Sequence, residues 1–147
     1  MIVLDTSIFT DYLILFEEDR HRKAREVFNE MSKSDFILYE PFLFEIELTG
    51  ILSRKYSKER ITEILERIKN KIEVVDEVDL HEISLSVAME THCRAIDSYF
   101  VATAKLTNSI LITNDRVMAY NAKKYGIEAY YLLEEFDKAV ERLKEIR

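Results

Sequence analysis

The order of apolar runs in this chain predicts an α/β protein, a three-layer α/β/α sandwich on a central, mostly parallel sheet. Three features carry that expectation. Short β-branched or apolar runs alternate with stretches of helical periodicity from one end of the sequence to the other. Two of the runs, Ile2-Val3-Leu4 and Ile110-Leu111-Ile112, are apolar throughout, as buried strands are. Each leads into a polar turn with an acid, Asp5 or Asp115. Ligands bind at the C-terminal strand ends of open parallel sheets, so Asp5 and Asp115 should share one edge if their strands are neighbours.

The elements follow in order. After the first strand, residues 6–16 carry Ile8, Tyr12, Leu15 and Phe16 on a helical period, with Asp5 or Thr6 placed to cap the helix. Residues 17–31 form a second helix, with Ala24, Val27, Phe28 and Met31 inward and the basic run 20–25 outward. Residues 36–39 are the next strand. Pro41 then suits the first turn of a helix, where its missing N–H costs little. In that helix, residues 41–55, Glu47 has Leu43, Phe44, Gly50 and Ile51 at three and four residues' distance, so it lies within the apolar stripe. Glu45, among Pro41, Phe42, Leu48 and Thr49, belongs at the margin. An amphipathic helix at 57–69, a strand at 72–75 and a helix at 79–89 come next. Ile96-Asp97-Ser98 opens a mostly apolar helix to residue 106, and the strand ending at Asp115 follows. A helix at 116–124 stops at Tyr125-Gly126, residues 127–132 are a last strand, and 134–146 are a charged amphipathic helix.

Composition limits what such a domain does. A chain of 147 residues is expected to be one domain, 1–147, burying roughly 70% of the surface it exposes when unfolded. A hydrophobic content of 48%, with 8 Phe and 8 Tyr, excludes disorder. No apolar run approaches the ~18 residues of a membrane span. The chain opens without a basic segment ahead of an apolar core, so a cytoplasmic protein without a secretory signal is expected. Cys93 is the single cysteine, and His21, His81 and His92 are scattered, which argues against disulfides and zinc sites. The net charge of −7 is not that of a generic polyanion binder. With 33% charged residues, one proline, two glycines and no glutamine, the composition has the ion-pair-rich character of heat-stable proteins.

Four acids occupy special positions: Asp5 and Asp115 at strand ends, Asp97 at a helix start, and Glu47 in an apolar helix face. Singly, each has an ordinary reading. Asp5 and Asp97 suit helix caps, Asp115 a turn, and Glu47 the partner of a buried Arg or Lys. Jointly, with no histidine, cysteine or glycine-rich phosphate loop beside them, they read as a site. Two unit charges ~4 Å apart repel by about 4 kcal/mol at an effective dielectric near 20, so convergence demands something positive. Hard oxygen ligands without nitrogen or sulfur select Mg²⁺ or Mn²⁺, ions that share coordination with substrate phosphate. That chemistry suits metal-assisted phosphodiester hydrolysis, and a metal with a basic rim lets an acidic protein meet a polyanion.

With these residues assembled, the chain resembles the PIN-domain family, most of all its VapC-type toxin ribonucleases. Val3-Leu4-Asp5-Thr6-Ser7 looks like the opening strand and first acid. Pro41 through Glu47-Leu48 matches the family's proline, apolar stretch and Glu-Leu pair. Arg94-Ala95-Ile96-Asp97 with Val101-Ala102 looks like the third acid and its helix, and Leu111-Ile112-Thr113-Asn114-Asp115 the closing block. The similarity extends to about Leu132. It implies a Mg²⁺- or Mn²⁺-dependent endoribonuclease with Asp5, Glu47, Asp97 and Asp115 as catalytic and metal-binding acids. It also implies supporting roles for Thr6, Ser7, Thr113 and Asn114, products with 5′-phosphate and 3′-hydroxyl ends, a homodimer, and a small antitoxin protein that blocks the site. Asp5, Asp97 and Asp115 are read as direct ligands, with Glu47 on a second ion or on the attacking water.

Contacts to the RNA substrate are expected from Arg54, Lys55 and Arg116, while the 20–25 run reads better as a solvated helix face. Rival readings are distinct. A phosphatase using Asp5 as nucleophile in the manner of haloacid-dehalogenase-like proteins wants an acid at position 7, where this chain has Ser7. A non-catalytic dimeric binding module would use the acids as caps and ion-pair partners only. A PIN ribonuclease of RNA processing would keep the chemistry without the toxin role. Phe9 and Leu13 on the first helix are candidates for either a dimer face or the core.

Overall fold

The computed structural model describes residues 1–146. Ile2, Val3 and Leu4 have no solvent contact, as befits a strand covered on both faces, and they form β1 (Ile2–Leu4). The other strands are β2 (Leu38–Pro41), β3 (Ile72–Val75), β4 (Ile110–Thr113) and β5 (Ala129–Tyr131). They make a five-stranded sheet in the order β3-β2-β1-β4-β5, and every pairing is parallel. The helices are α1 (Thr6–Leu13), α2 (Glu18–Met31), α3 (Phe44–Leu52), α4 (Lys58–Lys69), α5 (Glu77–Thr91), α6 (Ala95–Thr107), α7 (Arg116–Lys124) and α8 (Leu132–Glu145).

One layer is centred on α6, which crosses β2, β1 and β4 and is flanked by α5 and α7. In the other, α1 packs against α2 and α3, and α2 against α8. The expected α/β/α sandwich is therefore the observed one. Its core runs through both layers, with Phe9, Phe44, Phe100, Leu111 and Ile112 among the buried side chains. From β1 the chain steps outward through β2 to β3, then returns to lay β4 on the other flank of β1. The β1–β4 crevice is thus the switch point of the sheet, the place where parallel sheets bind ligands.

Several boundaries differ from the sequence reading. The first helix ends at Leu13, three residues early, because Ile14 turns extended (φ −124°, ψ 123°) and is itself buried. Leu15 and Phe16, expected on the inner stripe, are 61% and 58% exposed. Pro41 does not begin a helix. It ends β2 opposite Val75, where a residue without an N–H is tolerated, and α3 starts at Phe44. The strand is therefore shifted two residues along, which carries Glu40 into the sheet. Phe9 is core, its ring 4.6 Å from Phe44 and 5.3 Å from Phe28, and Leu13 packs at the core margin. Gly126, at φ 86°, occupies the left-handed conformation that ends α7.

Candidate active site

Register brings the first and last acids to one place. Leu4 pairs with Ile112, so Asp5 emerges level with Thr113, and the Asp5 amide donates to the Ile112 carbonyl at 3.0 Å. Asp5 stands at the N-terminal boundary of α1 but its side chain caps nothing. Instead Oδ2 accepts from Ser7 Oγ at 2.5 Å and from Thr113 Oγ1 at 2.8 Å. Both hydroxyls are themselves held. Ser7 Oγ accepts from the Asn114 amide at 3.0 Å, and Thr113 Oγ1 from the Asp115 amide at 2.8 Å. Asn114 Nδ2 extends the network by donating to Asp11 Oδ2 at 2.5 Å.

Asp115 does cap its helix: Oδ1 accepts from the amides of Val117 and Met118 at 2.8 and 3.0 Å. Its Oδ2 faces Arg94 Nη2 at 3.6 Å. The same guanidinium meets Asp97, with Nε 3.3 Å from Oδ2 and Nη2 3.4 Å from Oδ1. Asp97 lies in the first turn of α6, is buried, and makes no side-chain cap. Glu47 is half-buried on α3, and its Oε2 accepts from Thr6 Oγ1 at 2.5 Å, so its partner is a hydroxyl and not a buried cation. Glu45 points to the surface and pairs with Lys69 at 2.7 Å.

Asp5, Glu47, Asp97 and Asp115 all line one cavity of about 810 Å³, together with Thr6, Ser7 and Asn114. Asp11 and Glu17 add further carboxylates, and Arg20, Arg94 and Arg116 are its basic residues. The imbalance shows in protonation. Burial pushes Asp5 up to about 6, against the lowering effect of its Ser7 and Thr113 bonds, with Glu47 and Asp115 adding repulsion. Burial also raises Asp97, opposed by Arg94. Hydrogen bonding to Asp97 holds the Arg94 guanidinium charged still more firmly than usual.

Arg54 and Lys55 do not line this cavity, although Lys55 Nζ sits 4.4 Å over the ring of Phe16, which does. Arg116 lines it, paired with Glu134 and lying over Tyr131. Three participants escaped the sequence reading. Asp11 is buried, bound by Asn114 and by Arg20, whose Nε is 3.1 Å from both carboxylate oxygens. Arg20 thus leaves the solvated run and joins the cavity wall. Asp11 was detectable, since Ile8 and Ile14 stand three residues to either side, the stripe test that singled out Glu47. Glu40 is fully buried beneath the site. Its Oε1 accepts from the Leu4 amide at 3.2 Å, its Oε2 has no partner among the described residues, and burial raises it well above the carboxylate range. No sequence signal marked it once the strand was placed two residues early.

The donors fit a hard divalent cation: all are carboxylates or hydroxyls, and burial raises two of the acids, a shift that a bound cation would oppose. Among the described residues no three acid, histidine or cysteine side chains close around a single point, and Arg94 lies between Asp97 and Asp115. A guanidinium there supplies the counter-charge that an ion would supply.

The PIN domain family model matches residues 2–124. Among solved structures, the chain is similar to FitAcB from Neisseria gonorrhoeae, at 18% identity over 88% of this chain and 96% of that one, TM-score 0.66. It is similar to PAE2754 from Pyrobaculum aerophilum at 17% identity over 98% and 89%, TM-score 0.65. A toxin-antitoxin complex from Klebsiella pneumoniae shares 18% identity over 78% and 87%, TM-score 0.60. No curated protein sequence matches. Identities this low carry the likeness of fold alone, whereas the family model spans most of the sequence and the acids of all four quoted blocks. The chain belongs to the PIN domain family.

Proposed function

We propose that the protein is a Mg²⁺- or Mn²⁺-dependent endoribonuclease acting in the cytoplasm, the toxin of a VapBC-like toxin-antitoxin pair. The observation that carries this reading is the convergence of Asp5, Glu47, Asp97 and Asp115, from four remote segments, on one cavity at the switch point of the sheet. Asp5, Asp97 and Asp115 would hold the ion. When bound, it would acidify a water and neutralise charge on the scissile phosphate. The rest is the work of the chain. Ser7 and Thr113 fix the orientation of Asp5 by donating to Oδ2. Thr6 does the same for Glu47 through Oε2, leaving its other oxygen to orient the attacking water. Arg116, at the rim, offers a contact to the RNA backbone.

The partners are proposed on separate grounds. Val78, Leu85 and Met89, spaced by seven and four residues on one face of α5, are exposed by 82%, 47% and 72%, which suits a homodimer contact. An apolar groove of about 750 Å³, lined by Tyr12, Leu13, Phe28, Met31, Tyr56 and Ile64 among others, suits a helix of a small antitoxin. Likeness to a toxin-antitoxin complex supports the same reading. No helix among the described residues is long and apolar enough to cross a membrane.

The test is cleavage of a mixed, structured RNA by purified wild type and Asp97→Asn, each with Mn²⁺ or Mg²⁺ and again with excess EDTA. Cleavage by wild type that both EDTA and the substitution abolish is expected. Absence of cleavage and of metal binding by calorimetry, from folded protein free of antitoxin, would instead favour a binding module.

A further inference from the structure

The cavity continues past the acids along α1. Asp11 lies six residues beyond Asp5, about 9 Å along the helix axis. Around it the wall is made by Phe16, Glu17, Arg20 and Ile51. Arg20 is anchored there. Its Nε and Nη2 grip the buried Asp11 carboxylate at 3.1 Å, and its side chain remains 34% exposed. A guanidinium has five donors, and this fork leaves those on Nη1 uncommitted to Asp11. Beside it, the ring of Phe16 stands 58% exposed, bordered on one side by the Lys55 ammonium.

We propose that Phe16 and Arg20 form a subsite for a nucleotide flanking the scissile phosphodiester of single-stranded RNA. The base stacks on the Phe16 ring, and a phosphate oxygen accepts a hydrogen bond from Arg20. The subsite rests on the nuclease reading above. The free donors of Arg20 would attract any anion, against the repulsion of Glu17 beside them, but an open aromatic ring next to a guanidinium selects a ligand with both a flat apolar face and an anionic group. A nucleotide has both. Arg20 is held by a buried partner, so little side-chain freedom remains to be lost on binding. Its anchor Asp11 stands about 9 Å from Asp5 along α1, which assigns Arg20 to a neighbouring phosphate and leaves the scissile one to the acids. Lys55, which lines no part of the cavity, gains a role as added positive charge at the same ring.

The test uses the full chain carrying Asp97→Asn, so that binding is read without cleavage, and a short fluorescein-labelled single-stranded RNA of random sequence followed by anisotropy. Adding Phe16→Ala is expected to weaken binding roughly 5- to 150-fold, and Phe16→Trp to preserve it. Arg20→Gln is expected to weaken binding and flatten the dependence of log Kd on log salt by about 0.7, with Arg20→Lys restoring the slope. In the Asp97-intact enzyme Phe16→Ala is expected to raise KM by more than it lowers kcat. Unchanged affinity in both Phe16→Ala and Arg20→Gln would overturn the subsite, as would equal displacement of the single strand by a duplex, whose base faces are hidden. If Arg20→Gln fails to fold, the Phe16 variants decide alone, since that ring is more than half exposed and lies outside the buried core. Failure of the parent protein to bind RNA, with no cleavage by wild type, would instead strike the nuclease reading itself.

Discussion

The inner and outer halves of the acid cavity neutralise carboxylates in opposite ways. Asp5, in the inner half, is buried and receives hydrogen bonds from two neutral hydroxyls, each fixed in turn by a backbone amide. Asp97 and Asp115, in the outer half, share a guanidinium whose side chain is 78% exposed. Hydroxyls orient a carboxylate without discharging it, which is why Asp5 stays raised despite them. An exposed guanidinium supplies charge but holds geometry weakly, because solvent screens it. The inner half is therefore oriented by neutral hydroxyls, while in the outer half Arg94 partly offsets the burial of Asp97 and two helix amides fix Asp115.

Breaking the inner half should have the largest effect. Asp5→Asn is expected to lower cleavage roughly 100- to 1000-fold, the range for loss of one well-placed electrostatic partner. In metal-free protein it should do the reverse to stability. Because the folded protein binds the Asp5 proton more tightly than the unfolded chain, the associated stability is full below about 3.8 and lost as pH rises through about 6. The loss is about 3 kcal/mol across that window. Denaturation midpoints from pH 3.5 to 7.5 in EDTA should fall more steeply for wild type than for Asp5→Asn. Parallel curves would mean that Asp5 is already neutralised by something else.

Thr113→Val tests orientation without removing charge. The hydroxyl is fully buried, donates to Asp5 and accepts from the Asp115 amide, so its loss strands that amide and leaves Asp5 Oδ2 with Ser7 as its hydroxyl donor. A destabilisation of about 1–3 kcal/mol is expected, with Thr113→Ser close to wild type. Equal stability of the valine and serine forms would show that the strand end is held by the sheet alone.

Glu40 sharpens the contrast from below. Among the described residues it has neither hydroxyl partners nor a cation, only the Leu4 amide, and burial raises it well above the ordinary carboxylate range. Glu40→Gln keeps the acceptor for that amide and should change stability by less than about 1 kcal/mol at neutral pH, whereas Glu40→Leu leaves the amide unsatisfied and should cost about 1–3 kcal/mol. Urea midpoints of the two variants check the difference.

What was legible in the sequence follows the same division. The strands that bear Asp5 and Asp115 were clear because continuous apolar runs ending in an acid are strong local signals, and the parallel sheet followed from alternation. Glu47 was found by helical neighbours, and Asp11 by the same test could have been. Arg20, Arg94 and Glu40 were less legible for a different reason. Their significance depends on contacts across 9, 21 and 36 residues, from Arg20 to Asp11, Arg94 to Asp115 and Glu40 to Leu4, or on a strand shift of two residues at Pro41 that local propensity does not encode. Phe16 was misplaced because a helical stripe continues on paper after Ile14 has left the helix.

The smallest effect belongs to Arg94, and it separates the two halves most directly. Arg94 itself is largely exposed although Asp97 beneath it is buried, so Arg94→Gln should change stability by about 1 kcal/mol or less. Its charge, however, stands between Asp97 and Asp115, where a divalent ion would also be placed. Removing it takes away a competitor, and Mn²⁺ titrated calorimetrically into the RNA-free variant should bind more tightly than to wild type. Arg94→Lys, which keeps the charge but not the two-pronged contact, should fall between them. Weaker Mn²⁺ binding in Arg94→Gln would mean that the guanidinium organises the outer acids and does not merely balance them, and the two halves would then be built on the same principle after all.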